Sequence, residues 1–228
     1  DFVKECFPQA RVMRWDAEST REKGAHELIL SHFSAHRADI LIGTQMLAKG
    51  LDFPKVTLVG IILAEQGLNF PDFRAGERVF QLLTQVAGRA GRSPLGGQVI
   101  MQSYQPENPI IQLAAQHDFD GFYRQELAYR REFNYPPFCR LTRLIVQERN
   151  QTLAQSKAEE LAIELKEKIA WMGLKRTTLI GPSPCYYEKM AGKFRWQIIV
   201  RGPSPNVILE DVPLREWLMI EPNPPDLL

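Results

Sequence analysis

Apolar and polar positions along this chain follow two periods. Ala38-Asp39-Ile40-Leu41-Ile42-Gly43 and the stretch from Val56 to Leu63 are short, nearly continuous apolar runs, the pattern of strands covered on both faces in a parallel sheet. Further on the period lengthens. Val79, Leu82, Leu83 and Val86 fall at i, i+3, i+4 and i+7, so they share one helix face and leave Gln81, Gln85 and Arg89 near the opposite edge. The pattern predicts strands over 11–15, 39–43, 56–63 and 98–102, and helices over 20–34 and 74–86. Strand and helix in alternation describe a three-layer, mainly parallel α/β lobe, punctuated at its end by Pro106 and Pro109.

The rest of the chain reads differently. Residues 110–133 have helical spacing as one or two helices, and Asn134-Tyr135-Pro136-Pro137 stops them, because a residue before proline is pushed out of the α region. A strand follows over 138–146, then an amphipathic helix over 152–172 with Leu153, Leu161, Leu165 and Ile169 inward and Gly173 placed to end it. Residues 179–187 and 194–201 flank Ala191-Gly192 as a hairpin, and 212–222 supply a closing strand. The expected organisation is an α/β lobe over 1–109, a helical connector over 110–135 and a small α+β domain over 136–228.

Composition narrows the possible functions. A chain of 228 residues with 44% hydrophobic content can build two cores. Its net charge of +1 argues against indiscriminate adhesion to nucleic acid, so any such contact rests on local patches. Cys6, Cys139 and Cys185 lie too far apart for a Cys-x-x-Cys metal pair. They read as core or surface thiols in a reducing cytosol, and no metal site is expected. The sequence has neither an apolar run of membrane-spanning length nor a signal-peptide pattern at its start.

Candidate chemistry concentrates in two places. Gln85-Val86-Ala87-Gly88-Arg89-Ala90-Gly91-Arg92 puts two arginines one helical turn apart, each beside a glycine. Their permanently charged forks suit the oxygens of a terminal phosphate; two arginines at a helix end also simply favour the macrodipole. Between the apolar runs, Thr44, Gln45, Lys49 and Asp52 lie in a loop at a strand's carboxyl end, where open α/β sheets bind ligands. Asp52 and Pro54 are equally compatible with shaping a turn.

Two further stretches mix aromatic and basic residues. Tyr186, Tyr187, Phe194 and Trp196 alternate with Lys189, Lys193 and Arg195 around the hairpin tip, pairing stacking faces with phosphate partners. The alternative is a solvated outer face whose aromatics pack on the preceding helix. Phe119, Phe122, Tyr123, Leu127 and Tyr129, with Arg124, Arg130 and Arg131, pose the same choice in the connector, where helical spacing favours core plus a solvated face.

The segments 43–54 and 85–92 resemble motifs V and VI of superfamily 2 helicases. Asp39-Ile-Leu-Ile-Gly-Thr-Gln-Met46, Pro71-Asp72-Phe73-Arg74-Ala75 and the run 80–92 narrow the resemblance to the PriA family of primosomal replication-restart helicases. Arg14, Asp16, Glu18, Thr20 and Lys23-Gly24-Ala25 resemble the segment preceding motif V in that family. Leu51 and Glu65 depart from it, standing where histidine and aspartate are usual.

The resemblance implies a RecA-like second motor lobe and a C-terminal domain similar to a small-subunit ribosomal protein. It implies an ATP-dependent 3′-to-5′ DNA helicase that recognises stalled or abandoned forks and restarts replication by primosome assembly. Arg89 and Arg92 would meet the ATP γ-phosphate, with Arg92 as arginine finger and Gln85 as nucleotide sensor. Gly50 and Asp52 would couple that site to DNA, and Thr44, Gln45 and Lys49 would hold the strand backbone. The implied DNA is branched or single-stranded. The implied protein partners are single-stranded DNA-binding protein and primosome or helicase-loading proteins, around a monomer in the bacterial cytoplasm at the nucleoid.

No Gly-x-x-x-x-Gly-Lys-Ser/Thr loop occurs in these residues. The family keeps that loop, its Mg²⁺ ligands and its Zn²⁺-binding cysteines upstream, so the chain is expected to be a fragment that does not hydrolyse ATP alone. Two other readings stay open. One is a non-motor nucleic-acid-binding protein that retains one helicase lobe. The other is a doubly wound nucleotide-binding metabolic enzyme, against which no Gly-x-Gly-x-x-Gly follows a strand.

Overall fold

The computed structural model describes residues 2–16, 19–20, 24–44, 53, 55–90, 96–210, 212–213 and 215–228, apart from the Arg89 side chain. The chain divides into two compact units, residues 1–66 with 78–119, and residues 67–77 with 120–228. This division falls elsewhere than the sequence suggests. The expected connector is split between the units, and the short segment 67–77 belongs with the C-terminal unit although it precedes the lobe's last helix and strand.

In the first unit, β1 (Val12–Trp15) pairs in parallel with β2 (Ile40–Gly43), and β3 (Leu58–Ile61) in parallel with β4 (Gln98–Met101). Parallel pairing follows the α/β expectation, but the strands are not covered on both faces. Leu58 is 57% exposed and Ile100 59%, and Ile42 is also exposed, so a continuous apolar run here does not correspond to burial within this chain. Short α1 (Phe2–Cys6) precedes β1, and α2 (Ala25–Ser34) starts after Gly24, whose φ of 87° is the left-handed geometry that glycine tolerates. The Trp15 indole N–H donates to His26 Nδ1 at 2.9 Å, tying α2 to β1.

Carboxylates clamp the strand ends of this unit. Asp39 accepts from the Arg11 backbone N–H at 2.8 Å, from Arg11 Nε at 2.9 Å and from Nη2 at 2.6 Å. The Arg11 side chain is the main reason that its carboxyl lies well below the usual range. Beyond β3 and β4, Glu65 accepts from the Ser103 hydroxyl at 2.6 Å and the Tyr104 N–H at 3.1 Å, and the Ser103 bond chiefly lowers its pKa. A carboxyl whose folded value is depressed contributes fully above its unfolded value and loses that contribution as pH falls toward the folded one. Acidification below about pH 4 is therefore expected to loosen these strand ends. Amide exchange corrected for the intrinsic pH dependence should show falling protection at Asp39, Ile40 and Tyr104; unchanged protection would mean that the clamps contribute nothing.

The helix α3 (Ala75–Ala90) is longer than its apolar spacing predicts and carries Gln85 and Ala87 within it. Val79, Phe80, Leu83, Ala87 and Ala90 are its buried stripe, so the inward face is rotated from the expected one and Leu82 and Val86 lie at its margin. Gln81 and Gln85 are exposed, as their positions on the wheel require. An ideal Cβ on Gly97, just before β4, would lie 1.9 Å from the Ala90 carbonyl oxygen, so only glycine fits against the end of α3. The unit closes with α4 (Pro109–Ala115), capped by Asn108, whose side chain accepts from the Ile110 N–H at 3.0 Å.

The C-terminal unit is a four-stranded antiparallel sheet of order β6-β7-β5-β8, comprising β5 (Arg140–Glu148), β6 (Thr178–Met190), β7 (Lys193–Gly202) and β8 (Leu218–Pro222). One face packs on α6 (Gln151–Trp171). Leu144, Val146, Ile198 and Val200 meet Ala158, Leu161, Ala162 and Leu165 there. The Asn150 side chain caps α6 by accepting from the Leu153 N–H at 3.0 Å, and Gly173 follows its end with φ 65°. Leu153 is not inward as expected. It is 44% exposed while Ala154 is fully buried, because the stripe runs through 154, 158, 161, 162 and 165 and leaves residue 153 outside it. A 3₁₀ turn over Pro205–Leu209 replaces a second helix, and β8 supplies the closing strand expected within 212–222.

The opposite sheet face holds the segment 67–77. Phe73 lies in a cluster with Cys139, Leu141, Ile199 and Leu227, stacked on Tyr135 at 5.2 Å between centroids. The Arg130 guanidinium, from α5 (Phe119–Glu132), sits 5.2 Å over the Phe73 ring and bonds Glu77 and Glu126 at 2.7 Å each. Burial works against that charge, but the two carboxylates outweigh it and raise the Arg130 pKa. Arg74 Nη1 donates to the Pro225 carbonyl at 2.9 Å.

Candidate nucleotide and nucleic-acid site

The structure presents part of the site read from the sequence. Gln85 stands exposed on α3, and the backbone of Arg89 continues the same helix toward Gly91-Arg92. Thr44 is exposed just beyond the carboxyl end of β2, as a ligand-contacting loop requires. Gln45, Lys49, Gly50, Asp52 and Arg92, together with the Arg89 side chain, lie outside the described residues. Among the described residues there is no cluster of metal-ligating side chains, and no helix is long and apolar enough to cross a membrane.

The hairpin departs from its expected form at one residue. β6 and β7 turn at Ala191-Gly192 with φ 49° and 78°, the two positive values that a tight two-residue turn needs. Lys189 is exposed with its ammonium 4.8 Å over the Phe194 ring, and Lys193 is half-buried beside the tip. Arg195 is only 6% exposed and is not a tip residue facing solvent. Strand alternation explains this correction, since residues 195, 197 and 199 point to the face opposite α6, which the rest of the unit covers. Trp196 packs on the α6 core, whereas Tyr186 and Tyr187 remain exposed.

An exposed aromatic residue missed in the hairpin's sequence reading completes this surface. Phe70 lies edge-on to Tyr186 at 5.5 Å, and Tyr186 edge-on to Tyr187 at 5.0 Å, with all three rings substantially open to solvent. No periodicity links residue 70 to residue 186; only the docking of segment 67–77 on this unit brings them together. Along α5, Phe122 and the Arg130 side chain turn inward, while Phe119, Tyr123 and Tyr129 stay exposed.

Two family models match the chain. The helicase conserved C-terminal domain covers residues 6–94, and the primosomal protein N C-terminal domain covers residues 131–211. The replication restart protein PriA of Bacillus subtilis is 46% identical over 199 residues, which are 87% of this chain and 24% of that protein. Its counterpart from Synechocystis is 42% identical over 87% of this chain and 23% of that protein, and that of Chlamydia trachomatis 38% identical over 95% and 28%. The chain belongs to the PriA family. It spans about a quarter of the length of these PriA relatives. Its helicase C-terminal domain ends on the PriA-like Gln85–Arg92 segment, and its PriA C-terminal domain contains the β6–β7 hairpin.

Proposed function

We propose that this chain supplies the second motor lobe and the DNA-binding domain of an ATP-driven 3′-to-5′ helicase that restarts replication at stalled forks. The observation that carries the reading is the helicase C-terminal match over 6–94, which includes the Gln85–Arg92 segment borne by α3. Arg92 is the arginine finger, Arg89 its companion on the γ-phosphate and Gln85 the nucleotide sensor. A facing lobe provides the loop that cradles ATP and Mg²⁺. Closure of that lobe on ATP and its release after hydrolysis shift the grip of Thr44, Gln45 and Lys49 along the strand, with Gly50 and Asp52 linking grip to nucleotide. Zn²⁺ belongs to the upstream part of the longer protein. The partners are branched DNA, single-stranded DNA-binding protein and primosome proteins.

The hairpin contributes phosphate contacts through Lys189 and Lys193, with Phe70, Tyr186 and Tyr187 as stacking faces. Fork binding tests this directly. The double replacement Lys189→Ala with Lys193→Ala is expected to weaken binding of forked DNA similarly across sequences. It should flatten the dependence of log K on log salt by about 0.7 to 0.9 for each phosphate interaction removed. An unchanged salt slope in a folded double variant would make the lysines a solvated face and nothing more.

A further inference from the structure

The sheet face opposite α6 in the C-terminal unit contains two buried arginines with unfilled donors. Arg143 on β5 is 2% exposed and Arg195 on β7 is 6% exposed. Arg143 Nε donates to Gln197 Oε1 at 2.8 Å and Nη1 to the Leu228 carbonyl at 2.8 Å, with Glu221 of the adjoining β8 at 3.8 Å. Its Nη2 has no partner, and neither Nε nor Nη1 of Arg195 has one. Gln197 lies between the two arginines along this face. The buried Cys185 thiol feels the positive charge of both, although burial still pushes its pKa up. The two guanidinium groups therefore belong to one patch.

Such a patch is out of balance on its own. A guanidinium does not shed its proton to escape burial, and a buried charge with empty donors is strongly unfavourable unless paired. Glu221, itself 34% exposed, is the one carboxylate within ion-pair distance of Arg143 among the described residues, which leaves the pair one positive charge in excess. The free donors also belong to two separate groups. A planar carboxylate saturates on a single fork, whereas a tetrahedral oxyanion offers acceptors in several directions.

We propose that Arg143 and Arg195 form a buried binding site for a phosphate group, in addition to the hairpin and the ATP-contacting segment and independent of either. The phosphate is a free ion or part of a nucleic-acid strand. Thermal unfolding of the whole chain in phosphate-free buffer separates these sources. Inorganic phosphate at a hundredfold excess over its Kd is expected to raise Tm by about 5 °C or more, and sodium chloride of equal ionic strength should not. A short oligothymidylate without terminal phosphates should reproduce the shift only where a strand phosphate is the occupant.

Arg195→Met removes an unpaired buried charge. It should leave the phosphate-free protein at least as stable while abolishing the response to phosphate. Calorimetric titration of the unaltered chain gives a readout that no variant can confuse, with saturable binding of one phosphate per chain expected. Absence of that binding, an equal shift with chloride, or an undiminished phosphate response in folded Arg195→Met would overturn the proposal and leave buried water as the partner of these donors.

Discussion

Replacing Arg92 by alanine in a protein that joins this chain to its upstream motor lobe is expected to reduce DNA-stimulated ATP turnover by about 10³ to 10⁵-fold, the range for arginine fingers in phosphoryl transfer. Affinity for DNA and for ATP should change little, because the interaction matters chiefly when charge develops on the transferred phosphoryl group. The pattern in steady-state kinetics is a fall in kcat with KM nearly constant. A loss below tenfold with nucleotide binding intact would remove Arg92 from that role and transfer it to Arg89, one helical turn earlier.

Phe73→Ala should have the largest effect on stability. Phe73 is buried in a cluster drawn from Tyr135, Leu141, Ile199 and Leu227, with Arg130 over its ring. Removing a buried phenyl ring costs about 3 to 5 kcal/mol. The substitution also detaches Arg130 from one of its packing surfaces and weakens the seating of Glu77. Denaturation followed by the fluorescence of Trp196 and Trp217, both packed on the α6 core, should shift markedly to lower denaturant. A transition unchanged at those tryptophans would show that segment 67–77 does not stabilise the C-terminal unit.

Much of this architecture is written in local pattern. The antiparallel sheet and α6 follow from period-two runs, the Asn150 cap and Gly173, which act within a few residues of where they stand. The site motif is legible for the same reason: Gln85 and Arg89 fall on one helix, and Thr44 falls past a strand end. Other features depend on tertiary partners that no window contains. Phe73 finds its cluster across most of the chain's length. Arg195 reads as a hairpin-tip cation until alternation is combined with the fact that its sheet face is covered. Leu153 loses its place to Ala154 because the helix meets the sheet through small residues, which an apolar count undervalues. Exposed Leu58 and Ile100 mark the converse, strand-forming residues whose burial the described residues of this chain do not supply.

ATP hydrolysis, measured with forked DNA for this chain alone and for the same chain joined to the upstream lobe of its family, tests the central claim. The account predicts no turnover above background from the 228-residue chain and DNA-stimulated turnover from the joined protein that depends on Arg92. Hydrolysis by the isolated chain that disappears with Arg92→Ala, or a folded, ATP-binding joined protein that stays inactive on every fork, would contradict it.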